Sequence, residues 1–242
     1  MRGVKPVVAH GTCPAISAPE TVSIVVPVLN EASGIQATLE RLQPMRRRGA
    51  EIIVVDGGSQ DNTVALCQPL ADSVLQATPG RARQMNAGAA QASGKTLLFL
   101  HADTLLPPDA DTRVGEALAR GARWGRFDVR IAGSHWMLSV IAFMMNHRSR
   151  LTGIATGDQA IFVRRDAFDQ VGGFPDQPLM EDIDMSAALK RQGWPACLRE
   201  PAVTSGRRWE TRGVWRTIAL MWHLRWRHWR GDSPQQLAQR YR

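Results

Sequence analysis

The sequence predicts an α/β fold with a mostly parallel central sheet flanked by helices. Three runs rich in β-branched residues or leucine, VSIVVPV, EIIVVD and KTLLFLHAD, read as strands buried on both faces. Segments with helical periodicity alternate with them, as in a chain that winds strand, helix, strand. Each run also leads into polar or acidic residues, and the carboxyl ends of parallel strands are where such sheets collect their ligands.

The chain has 242 residues, 44% of them hydrophobic and 21% charged, enough to bury a core without covalent staples. Residues 1–20 have scattered apolar residues and several prolines but no continuous apolar stretch, so a flexible extension is expected there rather than a signal peptide. From Thr21 the texture changes. VSIVVPV is the first strand. EASGIQATLERLQPMRRRG follows as a helix, with Ile35, Leu39 and Leu42 at helical spacing and Gly49 as its stop. EIIVVD is the second strand, and Asp61 is placed to cap the helix of NTVALCQPL. SVLQA is a short strand. GRARQMNAGAAQASG is an alanine-rich helix closed by Gly94, and KTLLFLHAD is another buried strand.

Beyond Pro107 the pattern loosens. DADTRVGEALARG is helical, and RWGRFDVRIA alternates like a half-exposed strand. SHWMLSVIAFMMNHRSR is a helix whose middle is apolar on every side. QAIFVRRDAFDQVGGF gives a strand, a turn and a short helix, and MEDIDMSAALKRQG is a helix opened by acids. No repeat or long linker divides the chain. Residues 21–206 are therefore expected to form one domain, and residues 207–242 a basic, Trp-rich helical extension of it.

The formal net charge of +8 favours anionic partners without choosing among phosphates, nucleotides, nucleic acid and acidic lipid. The three cysteines, Cys13, Cys67 and Cys197, are widely spaced, which indicates neither a disulfide framework nor a zinc ribbon. A reduced, cytoplasmic compartment is the simplest reading. No run of about eighteen apolar residues is present to span a bilayer as a helix.

The strand ends carry the candidate chemistry. The first leads through Pro27 to Asn30-Glu31, the second ends at Asp56 before Gly57-Gly58-Ser59, and a later one ends at His101-Ala102-Asp103. Taken in order, VSIVVPVLNE, IIVVDGGSQDNT, GRARQMNAGA, LLFLHAD and MEDIDMSAALKRQG resemble family-2 glycosyltransferases of the GT-A fold, the nucleotide-diphospho-sugar transferase fold. The resemblance runs from about Val22 to Gly193. More narrowly it looks like the radical-SAM/selenodomain-associated branch, some of whose members are linked to arsenosugar synthesis; a related group glycosylates a carotenoid acid.

That resemblance implies a sugar transferase using a nucleotide-diphosphate donor, with a UDP-sugar as first guess, and an acceptor hydroxyl or carboxyl on a small or lipid-like molecule. It assigns the base and ribose to Pro27, Asn30, Glu31 and Asp56. A carboxylate suits that task because it accepts from base N–H groups and ribose hydroxyls. Arg81 matches a basic position near the nucleotide, with Arg83 as a competing candidate. Asp103 matches the directly metal-binding acid of the family's Asp-x-Asp motif, implying Mg²⁺ or Mn²⁺ to neutralise the leaving diphosphate. The first acid of that motif is His101 here. Imidazole can ligate Mn²⁺, donate to ribose, or only hold the turn, and the residue alone does not choose. Glu181-Asp182 match the family's Glu-Asp pair, whose second acid is the usual base, so Asp182 would take the acceptor's proton in an inverting displacement. Helix-dipole stabilisation of N-terminal acids is the structural alternative for this pair. Gly157, Asp158 and Gln159 are expected to shape the sugar pocket. Arg208 and Trp209 stand where processive relatives carry Gln-x-x-Arg-Trp, but Ser205 replaces the glutamine; Arg208 can meet the diphosphate as a guanidinium fork.

The tail GVWRTIALMWHLRWRHWR places Trp215, Trp222, Trp226 and Trp229 on one helical face, with Arg216, His223, Arg227 and Arg230 beside it. Such a stripe serves packing or an anionic membrane surface, the latter giving a peripheral protein at the inner face of the cell membrane. Two other classes fit parts of the chain. A nucleotidyltransferase would need a Gly-rich basic loop after the first strand, where this chain has PVLNE. A nucleic-acid binder would use the Trp/Arg tail but leaves the acidic strand ends unexplained, so no nucleic acid is expected.

Overall fold

The computed structural model describes residues 21–241, and the expected N-terminal extension lies outside them. The first half winds as β1 (Val22–Val28), α1 (Ile35–Arg47), β2 (Glu51–Asp56), α2 (Thr63–Cys67), β3 (Ser73–Gln76), α3 (Arg81–Gln91) and β4 (Thr96–Phe99). β1 pairs in parallel with β2 and β4, and β2 with β3. Every residue of β1 is buried. Its side chains alternate between two cores, since successive Cβ atoms point to opposite faces. Ile24 and Val26 meet Ile35, Leu39 and Leu42 of α1, while Val25 meets Ala82, Met85 and Ala89 of α3. Each fully buried Val or Ile of this kind contributes about 1.5–3 kcal/mol. α3 lies low on the sheet because Gly88 has no side chain; a Cβ there would sit 2.4 Å from Val25 Cγ1. The helix ends at Gln91, short of the expected Gly94 stop, and Gly94 instead lies against the start of β1.

The second half adds β5 (Thr104–Leu105), α4 (Ala110–Ala119), β6 (Trp124–Ala132), α5 (Met137–Thr152), a 3₁₀ turn at Gly157–Gln159, β7 (Phe162–Arg164), α6 (Arg165–Val171), α7 (Glu181–Lys190) and β8 (Ala196–Ser205). The helices α8 (Arg207–Arg212), α9 (Val214–Trp229) and α10 (Pro234–Tyr241) close the chain. The sheet order is β3-β2-β1-β4-β7-β6-β8-β5. β7 runs antiparallel to both β4 and β6, and β5 antiparallel to β8, so the sheet is mixed, with parallel runs β3-β2-β1-β4 and β6-β8.

β6 differs from the half-exposed strand expected of RWGRFDVRIA. Trp124 to Phe127 are all buried, and alternation begins only farther on. The cause is position: β6 lies between β7 and β8 and under α5. Arg126 is buried without cost in lost partners because its guanidinium meets Asp128, Ser149 Oγ at 3.1 Å and the Asn146 carbonyl at 3.1 Å. The α5 middle, apolar all round in sequence, divides in the structure. Met137, Leu138 and Ala142 are buried, whereas Trp136, Phe143 and Met144 are exposed.

Candidate active site

A cleft of about 720 Å³ opens where the carboxyl ends of β1 and β4 face α7, α8 and α9. Residues that are distant in sequence meet there because parallel strands end on one sheet edge. The chain enters α7 through Met180, whose φ of 67° is the left-handed conformation that non-glycine residues avoid. That turn sets Glu181 and Asp182 at the helix start on the cleft. Ala160, with φ 46°, similarly ends the 3₁₀ turn that carries Gly157 and Asp158. Two unfavourable backbone conformations therefore stand beside the two segments that bring acids together.

The adjacent acids have different surroundings. Glu181 is 2% exposed and receives a hydrogen bond from Arg81 Nη1 at 3.3 Å. Asp182 accepts from the Gly157 N–H at 2.8 Å through Oδ2 and from its neighbour Ile183 N–H at 2.8 Å through Oδ1. Burial, reinforced by the nearby Glu181 charge, pushes the Asp182 carboxyl up to about 6. Burial also acts on Arg81, against its charge, but Glu181, Asp182 and Asp158 hold its pKa above the ordinary value.

His101 lies at the same point. Its Nδ1 is 3.4 Å from Asp158 Oδ1, and its ring edge rests on Gly157: a Cβ there would be 2.2 Å from His101 Nε2. Burial opposes the Asp158 carboxylate, yet its hydrogen bond with His101 and the Arg81 and Arg208 charges hold its pKa below the ordinary value. Gln159 is fully buried; it accepts from Thr156 N at 3.2 Å and so fixes the turn, and it does not line the cleft.

At the strand ends, Pro27 and Glu31 line the cleft. Burial, and then the Asp103 charge, raise the Glu31 carboxyl, while Arg207 at 3.7 Å opposes the shift. Asn30 and Asp56 are placed differently. Asn30 Oδ1 accepts from Gln60 N at 2.8 Å, and Asp56, 3% exposed, accepts from Gly58 N at 2.9 Å. Both side chains are engaged with the turn after β2 rather than along the cleft wall. Asp61 accepts from Thr63 N at 3.0 Å, the hydrogen bond expected of a cap, although α2 itself begins one residue after Asn62. Asp103 is exposed on the cleft, and its carbonyl accepts from Ser205 N at 3.1 Å, which ties the end of β4 to β8. Arg208 lines the same region, its pKa lowered by burial and by Arg81; Trp209 lies between the cleft and the apolar cluster of Met137, Leu138 and Val214.

Among the described residues no group of three His, Cys, Asp or Glu side chains converges as a metal cage. The donor set nevertheless suits a hard cation of the Mg²⁺ or Mn²⁺ type that takes one carboxylate and completes its shell with ligand and water oxygens. Asp103 would be that carboxylate. His101, the other metal candidate, has Nδ1 turned to Asp158.

Residues 23–172 match the family model described as Glycosyl transferase family 2. The chain belongs to this family. An uncharacterized glycosyltransferase of Mycobacterium tuberculosis, Rv1514c, is 36% identical over 188 residues, covering 73% of this chain and 68% of the relative. The succinoglycan biosynthesis protein ExoA of Rhizobium meliloti is 30% identical over 193 residues, covering 71% of this chain and 58% of that one. Among solved structures, the Pyrobaculum calidifontis mannosyltransferase PcManGT, in complex with GDP-Man and Mn²⁺, superposes with a TM-score of 0.61 at 21% identity, over 78% of this chain and 57% of that one. Glucosyl-3-phosphoglycerate synthase from M. tuberculosis, in complex with Mn²⁺, UDP and glucosyl-3-phosphoglycerate, gives 0.59 at 19% identity, over 76% of this chain and 72% of that one. These structures share the GT-A fold expected from the sequence. Family membership makes the protein a glycosyltransferase, and the nucleotidyltransferase and nucleic-acid-binder alternatives give way to it.

For a family-2 glycosyltransferase, the far wall of the cleft is the part that sequence reasoning missed. Arg207 reaches Glu31, and Thr217, Met221, Leu224 and Arg225 of α9 line the opening. The signal was present in the spacing of 217, 221, 224 and 225, which puts them on one helical face. The more conspicuous tryptophans on another face drew the reading away from it.

Proposed function

We propose that the protein moves a sugar from a nucleotide-diphosphate donor to an acceptor hydroxyl or carboxyl, with Asp182 as general base and inversion at the anomeric carbon. One observation carries this: a carboxylate raised to about 6 stands in the cleft with its orientation fixed by the Gly157 N–H. A base with that pKa is largely ionised at neutral pH yet more basic than an ordinary aspartate. Glu181, buried under Arg81, positions that arginine and raises its neighbour. Arg81 and Arg208 bring positive charge to the donor end, where Pro27, Glu31 and Asp103 also lie. A divalent ion, Mg²⁺ or Mn²⁺, bound at Asp103 would neutralise charge developing on the departing diphosphate. The Mn²⁺ and nucleotide-sugar ligands named for the structural neighbours support this donor class, with UDP-sugars as the first to try. The narrower placement in the radical-SAM/selenodomain-associated branch rests on the sequence runs alone.

The acceptor reaction is proposed to take place at a membrane surface. Among the described residues no helix is long and apolar enough to cross a bilayer. The tryptophans of α9 are nevertheless outward: Trp215, Trp222, Trp226 and Trp229 are 65%, 71%, 49% and 82% exposed. A stripe made for packing inside the chain would be covered. Exposed Trp beside Arg suits an anionic headgroup layer and supports a peripheral position at the inner face of the cell membrane.

Asp182→Asn tests the catalytic reading. It should cut transfer by about 10²–10⁴-fold while donor binding and cooperative thermal unfolding persist; near-wild-type transfer by a folded variant would sink the proposal. A panel of nucleotide sugars with Mn²⁺, scored for donor hydrolysis, tests the donor. Co-sedimentation with anionic vesicles tests the surface, and absence of binding at low salt would exclude it.

A further inference from the structure

We infer that the α9 side of the cleft is an anion subsite built on Arg225, and that the acceptor brings the anion, a phosphate or carboxylate on an otherwise apolar molecule. The inference rests on the transferase reading of the cleft and names the class of acceptor.

The other cations near the end of α9 have company. Arg227 pairs with Asp232, His228 Nε2 lies 2.9 Å from Asp184 Oδ1, and Arg230 stacks over Trp226 with its guanidinium carbon 4.8 Å from the ring centroid. Arg225, on the same helix, lines the cleft, and among the described residues it makes no hydrogen bond or ion pair. Asp184, the acid that α7 presents toward α9, is already engaged by His228 and by Gln177 Nε2 at 2.8 Å. Burial alone acts on Arg225, against its charge, and among the described residues no carboxylate compensates it. A guanidinium partly removed from water and left without a partner is unfavourable until an anion arrives, and its planar fork matches carboxylate and phosphate oxygens.

The position assigns this anion to the acceptor. Arg225 belongs to α9, whereas Arg81 and Arg208 come from α3 and α8, and burial is the one influence resolved on it. Arg225 therefore stands apart from the donor-end cluster. Around it the wall is apolar: Met221 and Leu224 from α9 face Leu179 and Met180, which directly precede Glu181-Asp182. An acceptor with its hydroxyl at Asp182 would run along this apolar strip and end on Arg225.

The test uses the full chain and two probes: octyl phosphate below its micelle concentration, and phosphatidylglycerol vesicles. Arg225→Gln should weaken octyl phosphate binding by about ten- to a hundredfold. Arg225→Lys, which keeps the charge without the fork, should fall between, and Arg216→Gln, outside the cleft, should leave octyl phosphate binding unchanged. If Arg225→Gln also weakens vesicle binding, the anion is lipid-borne; if only octyl phosphate binding falls, it is soluble. Either result supports the subsite. Unchanged binding of both probes overturns it. UDP titration of the unaltered protein separates this failure from the broader one. UDP binding with no Arg225 effect refutes the subsite alone, whereas no UDP binding with Mn²⁺ refutes the donor reading beneath it.

Discussion

The two walls of the cleft are built on opposite principles. On the sheet wall, charges come as pairs made by the fold: Arg81 with Glu181, His101 with Asp158, and Glu31 with Arg207 reaching across from α8. On the α9 wall, Thr217, Met221 and Leu224 surround Arg225, and no carboxylate answers it among the described residues. Paired charges are oriented before any ligand arrives, which suits one recurring donor whose shape does not vary. An apolar wall with one uncompensated cation asks only for length, greasiness and a negative end. Strict recognition thus belongs to the sheet wall and tolerant recognition to the helix wall.

The strongest challenge to this contrast is Asp182→Asn. Transfer should fall by about 10²–10⁴-fold, the usual contribution of a general base, while UDP binding holds. The same variant should unfold at a temperature no lower than the parent at pH 7. The folded-state pKa, about 6, lies above the ordinary 3.8, so the protonated form favours the fold at low pH and this benefit is lost as pH rises through about 6. Removing the charge should therefore leave the fold at least as stable at pH 7. Next in size, Asp103→Ala should remove the Mn²⁺-dependent part of nucleotide binding, about ten- to a hundredfold by titration, and leave octyl phosphate binding intact. If both probes weaken together, the walls are not independent. A pH–rate profile should show kcat climbing roughly tenfold per unit below about pH 6 and levelling above it, as Asp182 ionises. Smallest is the outer face of α9. Trp222→Ala with Trp226→Ala should cut anionic-vesicle binding by about tenfold without moving the UDP affinity.

The sheet wall was the legible one. Val25, Ile53 and Leu98 announce buried strands by composition alone, and Asp103 and Glu31 follow their strands directly in sequence. The partners of those residues were not legible. Asp158 comes to His101, and Arg207 to Glu31, across long stretches of chain, and local periodicity contains no term for such meetings. Arg126 misled for the same reason, because a cation in a strand suggests solvent until Ser149 and Asn146 arrive from α5. On α9 the sequence displayed its tryptophans but not the inward face. A wall of Thr, Met, Leu and Arg becomes a wall only when something lies opposite.

The contact between Gly157 and His101 carries a lesson about how this site can change over generations. Position 157 is not free to drift while histidine stays at 101: a methyl group at 157 would collide with the imidazole, 2.2 Å from Nε2. Aspartate at 101, being shorter, would open that space. Gly157→Ala should therefore be damaging beside histidine and mild beside His101→Asp, a sign-dependent coupling measurable in a double-mutant cycle. The imidazole thus holds position 157 to glycine, and a lineage that exchanged it for a carboxylate would be released from that glycine as well.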